Sequence, residues 1–387
     1  MGSPRRARRP TVARGRRRFR GDAAPCQSPP VSSPLPFLTA SLPGTGGVLR
    51  THPEDFVVDE LAAYPAAGTG DHVLVHVEKR DLTTAGAADA LARALGVDGR
   101  DVGWAGLKDR RAVTRQWLSL PPPVSPEAAL AVEIDGLRVL AAARHPHKLR
   151  TGHLRGNRFV LRVRGVGPDA LDRARAILAA LAAAPGAPAW YGEQRFGARG
   201  DNVSRGLALL RGERLPGRVP PKLRRLLISS VQSSLFNAWL RARLDDGLYA
   251  RVIAGDVLEK RASGGVFVTD DPAVDQARAD ADEVVVTGPM FGPKMKAPAP
   301  ASEAAAREAA VLAAAGVDAA LFAAAGKLAL GTRRALGVPV ADAAARAVDD
   351  DGPDVIEVSF TLPAGAYATA VMREITKAAE GPADDPS

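Results

Sequence analysis

Apolar positions recur with two spacings along this chain, and each spacing predicts a different element. Val73, Val75 and Val77 alternate with His72, Leu74 and His76, as in a strand buried mostly on one face. Val113 to Leu120 reads as another strand, stopped by Pro121-Pro122-Pro123, and Phe159-Val-Leu-Arg-Val-Arg164 as a third with one apolar and one basic face. Helical spacing appears between them. Thr83 or Thr84 can cap a helix running to about Leu95, which Gly96 stops. A second helix is expected from Pro168 to about Ala184, with the proline at its first position. Residues 222–246 carry Leu227, Val231, Leu235, Trp239 and Leu244 on one stripe, ahead of a capping Gly247. Further on, 255–290 reads as short-stranded and turn-rich, and 301–325 as Ala-rich helix. Val355 to Leu362 reads as a β-branched strand leading into a closing helix. The mixture is α+β, with hairpins and no repeat of about 20–50 residues.

The chain ends lack this periodicity. Residues 1–45 are rich in Arg, Pro, Ser and Gly and read as a disordered tail, as do 381–387. An Arg-rich, acid-poor start suits an organelle transit peptide, a basic arm on RNA, or simply an over-long start in an Ala/Arg-rich reading frame. No secretory apolar region follows, so the default compartment is the cytoplasm. With 387 residues and 46% hydrophobic content, the chain can fill two domains. The Ala-rich run 309–325 is broken by Gly316 and Asp318 and is too weakly hydrophobic to span a membrane, so a soluble protein with no membrane partner is expected.

Charge changes the picture only locally. The net +9 belongs to the tail: nine of the 52 Lys and Arg fall in residues 1–20, which hold no acid, and the remainder balance the 43 Asp and Glu. Within the body, 137–167 contains eight Lys/Arg, three His and no acid, and 205–225 contains seven Lys/Arg against Glu213 alone. Both runs flank turn-prone segments and suit phosphate contacts. A single cysteine, Cys26, and six histidines without ligand spacing give no reason to expect a metal. Gly165-Val-Gly167 lies between a strand and a helix, as a dinucleotide fingerprint would. The following Pro168 and the absence of α/β alternation downstream favour a plain helix start. Gly326-Lys327 is followed by Leu328, so it is not a phosphate-binding Walker loop. No cofactor is expected.

The sharpest stretch is Gly103-Trp-Ala-Gly-Leu-Lys-Asp109-Arg-Arg-Ala-Val-Thr-Arg-Gln-Trp117. Asp109 follows a glycine-containing turn and precedes a strand, with Lys108 and Arg110 on either side. Neighbouring cations favour the ionised carboxylate, which is then a usable nucleophile or base. Local chemistry alone also fits a surface ion-pair cluster.

Gly106-Leu-Lys-Asp-Arg-Arg-Ala-Val-Thr-Arg-Gln116 resembles the signature of the TruD family of tRNA pseudouridine synthases. Four further segments resemble the same family in the same order. They are Pro53-Glu-Asp-Phe56-Val-Val-Asp-Glu60, Gly156-Asn157-Arg-Phe159, Tyr191-Gly-Glu-Gln-Arg-Phe196-Gly197 and Leu362-Pro-Ala-Gly-Ala-Tyr367-Ala-Thr369. The likeness spans about residues 47–377. It implies that Asp109 is the nucleophile and that Phe56, Asn157 and Tyr367 line the substrate pocket, with Phe159 and Arg50 in a second tier. Arg50 stands where lysine is expected, and Tyr367 where phenylalanine is common.

The same resemblance implies a pseudouridine-synthase catalytic domain with a mixed sheet, built from both chain ends at 46–188 and 330–380, and an inserted α+β TRUD domain at 189–329. The implied substrate is uridine at position thirteen of tRNA, the implied cofactor none, and the implied state a monomer. Two rivals are a non-catalytic RNA-binding scaffold and a carboxylate-dependent hydrolase using Glu54, Glu60 or Glu374 as its second acid.

Overall fold

The computed structural model describes residues 34–197, 199–348 and 351–378. The Arg-rich segment 1–33, with Cys26, and the end of the chain from residue 379 lie outside the described residues.

Residues 46–166 supply seven strands: β1 (Gly46–Leu49), β2 (Phe56–Ala62), β3 (His72–Arg80), β4 (Gly103–Trp104), β5 (Val113–Leu120), β6 (Leu137–His145) and β7 (Leu154–Val166). Helices α1 (Thr84–Leu95) and α2 (Pro126–Leu130) interrupt them, and α3 (Ala170–Ala182) follows. A short strand β8 (Ala187–Pro188) leads into α4 (Asn202–Leu210), α5 (Pro221–Asp245), β9 (Val257–Lys260), β10 (Val266–Val268), α6 (Pro272–Asp280) and β11 (Val284–Met290). Then come α7 (Glu303–Ala314), α8 (Ala319–Ala325), β12 (Thr332–Ala335), β13 (Gly337–Val338), β14 (Ala341–Ala347), β15 (Val355–Pro363) and α9 (Ala368–Thr376).

Nine strands form one mixed sheet in the order β14-β15-β7-β2-β5-β3-β6, with β1 on β7 and β4 on β5. Only the β2–β5 pair within it is parallel. A smaller sheet, β10-β9-β11-β12, is contiguous in sequence, and β8 pairs with β13 between the two. One face of the large sheet is covered by α3 and α9, whose Ile177, Leu181, Val371, Met372 and Ile375 pack on Phe56, Phe159, Leu161, Val358 and Phe360. Farther along, α1 packs Ala87, Ala88 and Leu91 on the fully buried Val73, Val75 and Val77.

The helix expected from Thr83 forms as read: its hydroxyl accepts the Gly86 N–H, and Gly96 closes the helix in the left-handed region at φ 69°. Helix α5 buries Leu227, Val231, Leu235 and Trp239, but it also buries Ser230, Ser233, Asn237 and Arg243. It is surrounded by other elements, where one stripe predicts a single buried face. The 301–325 stretch is two helices, broken at Gly316. No single described helix is long and apolar enough to cross a membrane. The pair Glu303–Ala314 and Ala319–Leu328 passes by length and composition together but bends by 78°.

Three expectations change. Pro168 does not open α3, which starts at Ala170 after Asp169 in the left-handed region. The reason is β7, which runs to Val166 to pair with Gly46. The tail does not extend to residue 45: Leu38 and Thr39 donate their N–H groups to the buried Glu374 carboxylate of α9, and the Thr45 N–H bonds to the Ile375 carbonyl. Residues 34–45 are therefore part of the fold. Finally, the turn-rich 255–290 also holds α6, where Asp271 caps and Pro272 begins a helix.

Candidate active site

The parallel β2–β5 pair explains why Asp109 meets residues some fifty positions earlier. Val57 lies opposite Val113, so both strands begin at the same end of the sheet. The turn before β5 carries Asp109, and the turn before β2 carries Arg50. Arg50 Nη2 lies 2.7 Å from Asp109 Oδ2, and its guanidinium sits 4.0 Å above the centre of the Phe56 ring. Arg50 adopts φ 63°, a conformation that side-chain-bearing residues enter at a cost of roughly 1–3 kcal/mol. The ion pair and the ring contact are what hold it there.

The local cations are not the ones read from the sequence. Lys108 turns inward, buried against Glu60 Oε2, and Arg110 donates to the Asp81 carbonyl at 3.2 Å. The cation on the Asp109 carboxylate is Arg50. Glu60 also accepts the Trp117 N–H through Oε1, at 3.2 Å, so one carboxylate fixes the loop and the strand after it. The Lys108 N–H donates to Thr84 Oγ1 (2.9 Å), and that hydroxyl donates to Gln116 Oε1 (3.0 Å). Beneath the turn, Lys79 Nζ donates to the Asp109 main-chain carbonyl at 2.8 Å. The Asp109 main chain is thus gripped from below, while its carboxyl is about one-third exposed.

Strand register sets two rows across one sheet face. Lys79, Thr114, Val58, Phe159 and Phe360 form the first; Val77, Gln116, Glu60, Asn157 and Leu362 form the second. Three polar atoms on these rows, Thr114 Oγ1, Gln116 Nε2 and Asn157 Oδ1, are buried without a hydrogen-bond partner among the described residues. Buried polar groups are ordinarily satisfied, so such a concentration marks a place built for something other than stability. Asn157 reaches this row because Gly156 lets β15 approach: a Cβ on Gly156 would lie 2.2 Å from the Leu362 carbonyl oxygen.

The candidate residues fall into different positions. Asp109, Arg50 and Phe56 are in contact. Phe56 is 3% exposed and Phe159 6%; their rings meet edge-on at 6.3 Å, and Phe159 packs on Phe360. Phe159 is thus a core residue under the site. Tyr367 is 60% exposed, on the loop after β15 that the Ala364 N–H ties to the Arg155 carbonyl, beside a small cleft with Trp190 and Arg334. It joins Asn157 at the same end of the β7–β15 pair.

Asp55, inside the Pro-Glu-Asp-Phe segment, is fully buried and accepts a double hydrogen bond from Arg164 and one from the His52 N–H. Burial pushes its carboxyl up, but Arg164 and the His52 N–H outweigh it and hold the group below the ordinary range. The three carboxylates imagined as a hydrolase's second acid are engaged elsewhere: Glu60 with Lys108, Glu54 with Arg80, and Glu374 with Leu38, Thr39 and Lys377.

Lys79 escaped sequence reading, and Thr84 was read only as a possible helix cap. A signal for Lys79 existed, since it continues the inward alternation of Val73, Val75 and Val77. The basic run of 137–167 is narrower than its count: Arg138, Arg162 and Arg164 form ion pairs, and Arg144 and Lys148 bond to carbonyls. The Arg150, Arg155 and Arg158 side chains, around the start of β7, have no partner among the described residues. The same holds for Arg214, Arg218, Lys222, Arg224 and Arg225 of the second run, all exposed.

This arrangement is a mixed-sheet α+β fold with a clamped aspartate turn over a partly unsatisfied polar row, and comparison with known proteins identifies the class. The profile of tRNA pseudouridine synthase D (TruD) matches residues 35–215 and 217–375. The tRNA pseudouridine synthase D of Anaeromyxobacter dehalogenans strain 2CP-1 is 51% identical over 355 residues, covering 90% of this chain and 99% of its own. That of Thermus thermophilus is 43% identical, covering 88% and 92%. A solved structure from Methanosarcina mazei assigned to TruD shares the fold, with a TM-score of 0.76 at 22% identity over 89% of this chain and 96% of that one. The chain belongs to the tRNA pseudouridine synthase D family, whose members isomerise uridine to pseudouridine.

Proposed function

We propose that this enzyme isomerises uridine at position thirteen of tRNA through a covalent adduct on Asp109, with Phe56, Asn157 and Tyr367 lining the substrate pocket. The observation that carries the reading is the Asp109 turn itself. A partly exposed carboxyl is held by Arg50 at 2.7 Å, and its main chain by Lys79. The reaction breaks the C1′–N1 bond, turns the uracil and rejoins it through C5, with no net exchange of atoms or electrons. Asp109 attacks either C1′ after loss of the glycosidic bond or C6 of the ring; both routes return the carboxylate at the end.

Several features support this. The base must leave its stack, at a cost of roughly a few kcal/mol, and stacking returns on the order of 1–3 kcal/mol per base. Tyr367 offers an exposed ring, whereas the Phe56 face lies under Arg50 and Phe159 stays in the core. Asn157 Oδ1, an unpaired acceptor, suits a sugar hydroxyl or the uracil N–H while the base turns. The unpaired arginines at the start of β7 and along 214–225 suit tRNA phosphates. We read the molecule as a cytoplasmic monomer whose residues 34–188 and 330–378 form the catalytic domain and 189–329 the TRUD insertion.

The test is to incubate enzyme with unmodified tRNA transcript and map pseudouridine chemically, for wild type and Asp109→Asn. Product at position thirteen from wild type is expected, with none from the variant and equal tRNA binding by both. Full activity in Asp109→Asn sinks the nucleophile assignment. Binding without product from the wild type leaves only an RNA-binding scaffold.

A further inference from the structure

Val73, Val75, Val77 and Lys79 point to the same buried face of β3, and all four are fully buried. A lysine without water needs compensation. Among the described residues no carboxylate is in contact with this ammonium. Nζ donates instead to two main-chain carbonyls, Leu82 at 2.6 Å and Asp109 at 2.8 Å. The first lies in the turn before α1, whose Thr84 receives the Lys108 N–H; the second belongs to the candidate nucleophile. One side chain therefore joins the two segments that shape the Asp109 turn.

We propose that Lys79 is a positioning residue for Asp109, clamping the main chain of its turn from beneath and lending the carboxylate a buried positive charge, at the expense of fold stability. The inference rests on Asp109 being the nucleophile. The charged groups facing Lys79 are the Asp109 carboxylate and Lys108; Lys108 is neutralised by Glu60, and the Asp109 carboxylate is held by Arg50. Burial pushes the ammonium down to about 8, the Asp109 carboxylate opposes this, and Lys108 adds to it.

The folded-state value lies below the ordinary 10.5, so between about 8 and 10.5 the folded protein binds fewer protons than the unfolded chain. Stability then rises with pH through that window, and at neutral pH the charged lysine weakens the fold.

The experiment measures Lys79→Met, an unbranched neutral replacement, in the full-length enzyme on unmodified tRNA transcript. The expected result is a fall in single-turnover rate on the order of 30–100-fold at pH 7.5, the size of a misplaced reacting group. The tRNA Kd should stay within about twofold of wild type, and the unfolding temperature should not drop. The wild-type rate should decline as pH rises through 8, and the residual Lys79→Met rate should lack that decline.

A Lys79→Met rate close to wild type overturns the proposal, as does a rate loss that tracks a fall in unfolding temperature. Lys79→Gln is measured alongside in case the thioether fails to fold; if neither variant folds, Lys79 supports the strand and the proposal falls. Asp109→Asn run in parallel keeps the two readings apart. An active Asp109→Asn removes the nucleophile, whereas a dead Asp109→Asn beside a fully active Lys79→Met removes Lys79 alone.

Discussion

Among the described residues, the region of the smaller sheet buries five ions and pairs them all, Asp275 with Arg278 at 2.7 Å. Arg243 makes two hydrogen bonds to Asp256, at 2.8 and 3.1 Å, and Arg333 meets Glu308 at 2.7 Å while donating to the Thr287 hydroxyl and carbonyl. Around Asp109 the buried ions are Lys108, Glu60 and Lys79, and this set is one carboxylate short. The carboxylate that partly offsets Lys79 is that of Asp109, at the edge of solvent and already paired with Arg50. The contrast separates two uses of buried charge. Where donors and acceptors are all matched, the group fixes one packing arrangement. Where a cation is left facing main-chain carbonyls, the carboxylate that offsets it sits at the solvent edge.

Breaking the matched set should have the largest effect. Arg243→Met leaves Asp256 buried and alone, which should reduce stability by roughly 3–5 kcal/mol, seen as a lower urea midpoint. Activity per folded molecule should be unchanged, and adding Asp256→Leu should restore most of the stability. If activity falls while the midpoint holds, the smaller sheet's charges are not a separate structural set.

Glu60→Gln probes the other set. Lys108 loses its counter-charge, so the Asp109 turn should loosen and kcat fall about 10–100-fold, or roughly 1.4–2.7 kcal/mol. Single-turnover kinetics with a separate tRNA Kd would show whether binding is spared. An unchanged kcat would make the Glu60–Lys108 pair equivalent to Arg243–Asp256 and blur the distinction.

The smallest effect tests whether location or completeness decides the behaviour. The Asp55–Arg164 pair borders the large sheet but is complete. Its carboxyl is held below the ordinary 3.8, so its stabilisation is fully present above that value and is lost as pH falls through the lower folded one. Wild type should therefore lose more stability between pH 5 and 3 than Asp55→Asn does, in urea titrations, and Asp55→Asn should not alter tRNA binding at neutral pH. Equal acid sensitivity in both proteins would remove Asp55 from the stabilising pairs.

Elements with strong local signals were legible in the sequence. The alternating valines, the Thr83–Gly96 caps and the proline stop after β5 each specify conformation within a few residues, and those elements form as read. Strands β2, β6 and β14 gave no such signal. Ala341–Ala347 is rich in alanine, a helix former, and becomes a strand only because β15 offers it an antiparallel partner. The site shows the same division. Asp109 was visible through its motif, but its cation was not, because Arg50 reaches it through the parallel β2–β5 register, a long-range fact. Lys108, adjacent in sequence, points away for the same reason: Glu60 is waiting on the neighbouring strand.

The position of β7 has a consequence for how the protein is made. β1, β2 and β15 all pair with this strand, yet β15 begins about 190 residues after β7 ends. At roughly 5–20 residues per second, a ribosome leaves that side of β7 waiting for something like ten to forty seconds. The smaller sheet, contiguous in sequence, has all its strands during this interval. Through it the nascent chain carries a long open strand edge, the kind of surface on which neighbouring chains aggregate. Arg158, Arg162 and Arg164 alternate along it, and like charges repel a second copy of the same edge. The arginines that later bind Asp55 and Asp351 can thus act first as a guard on an unfinished sheet.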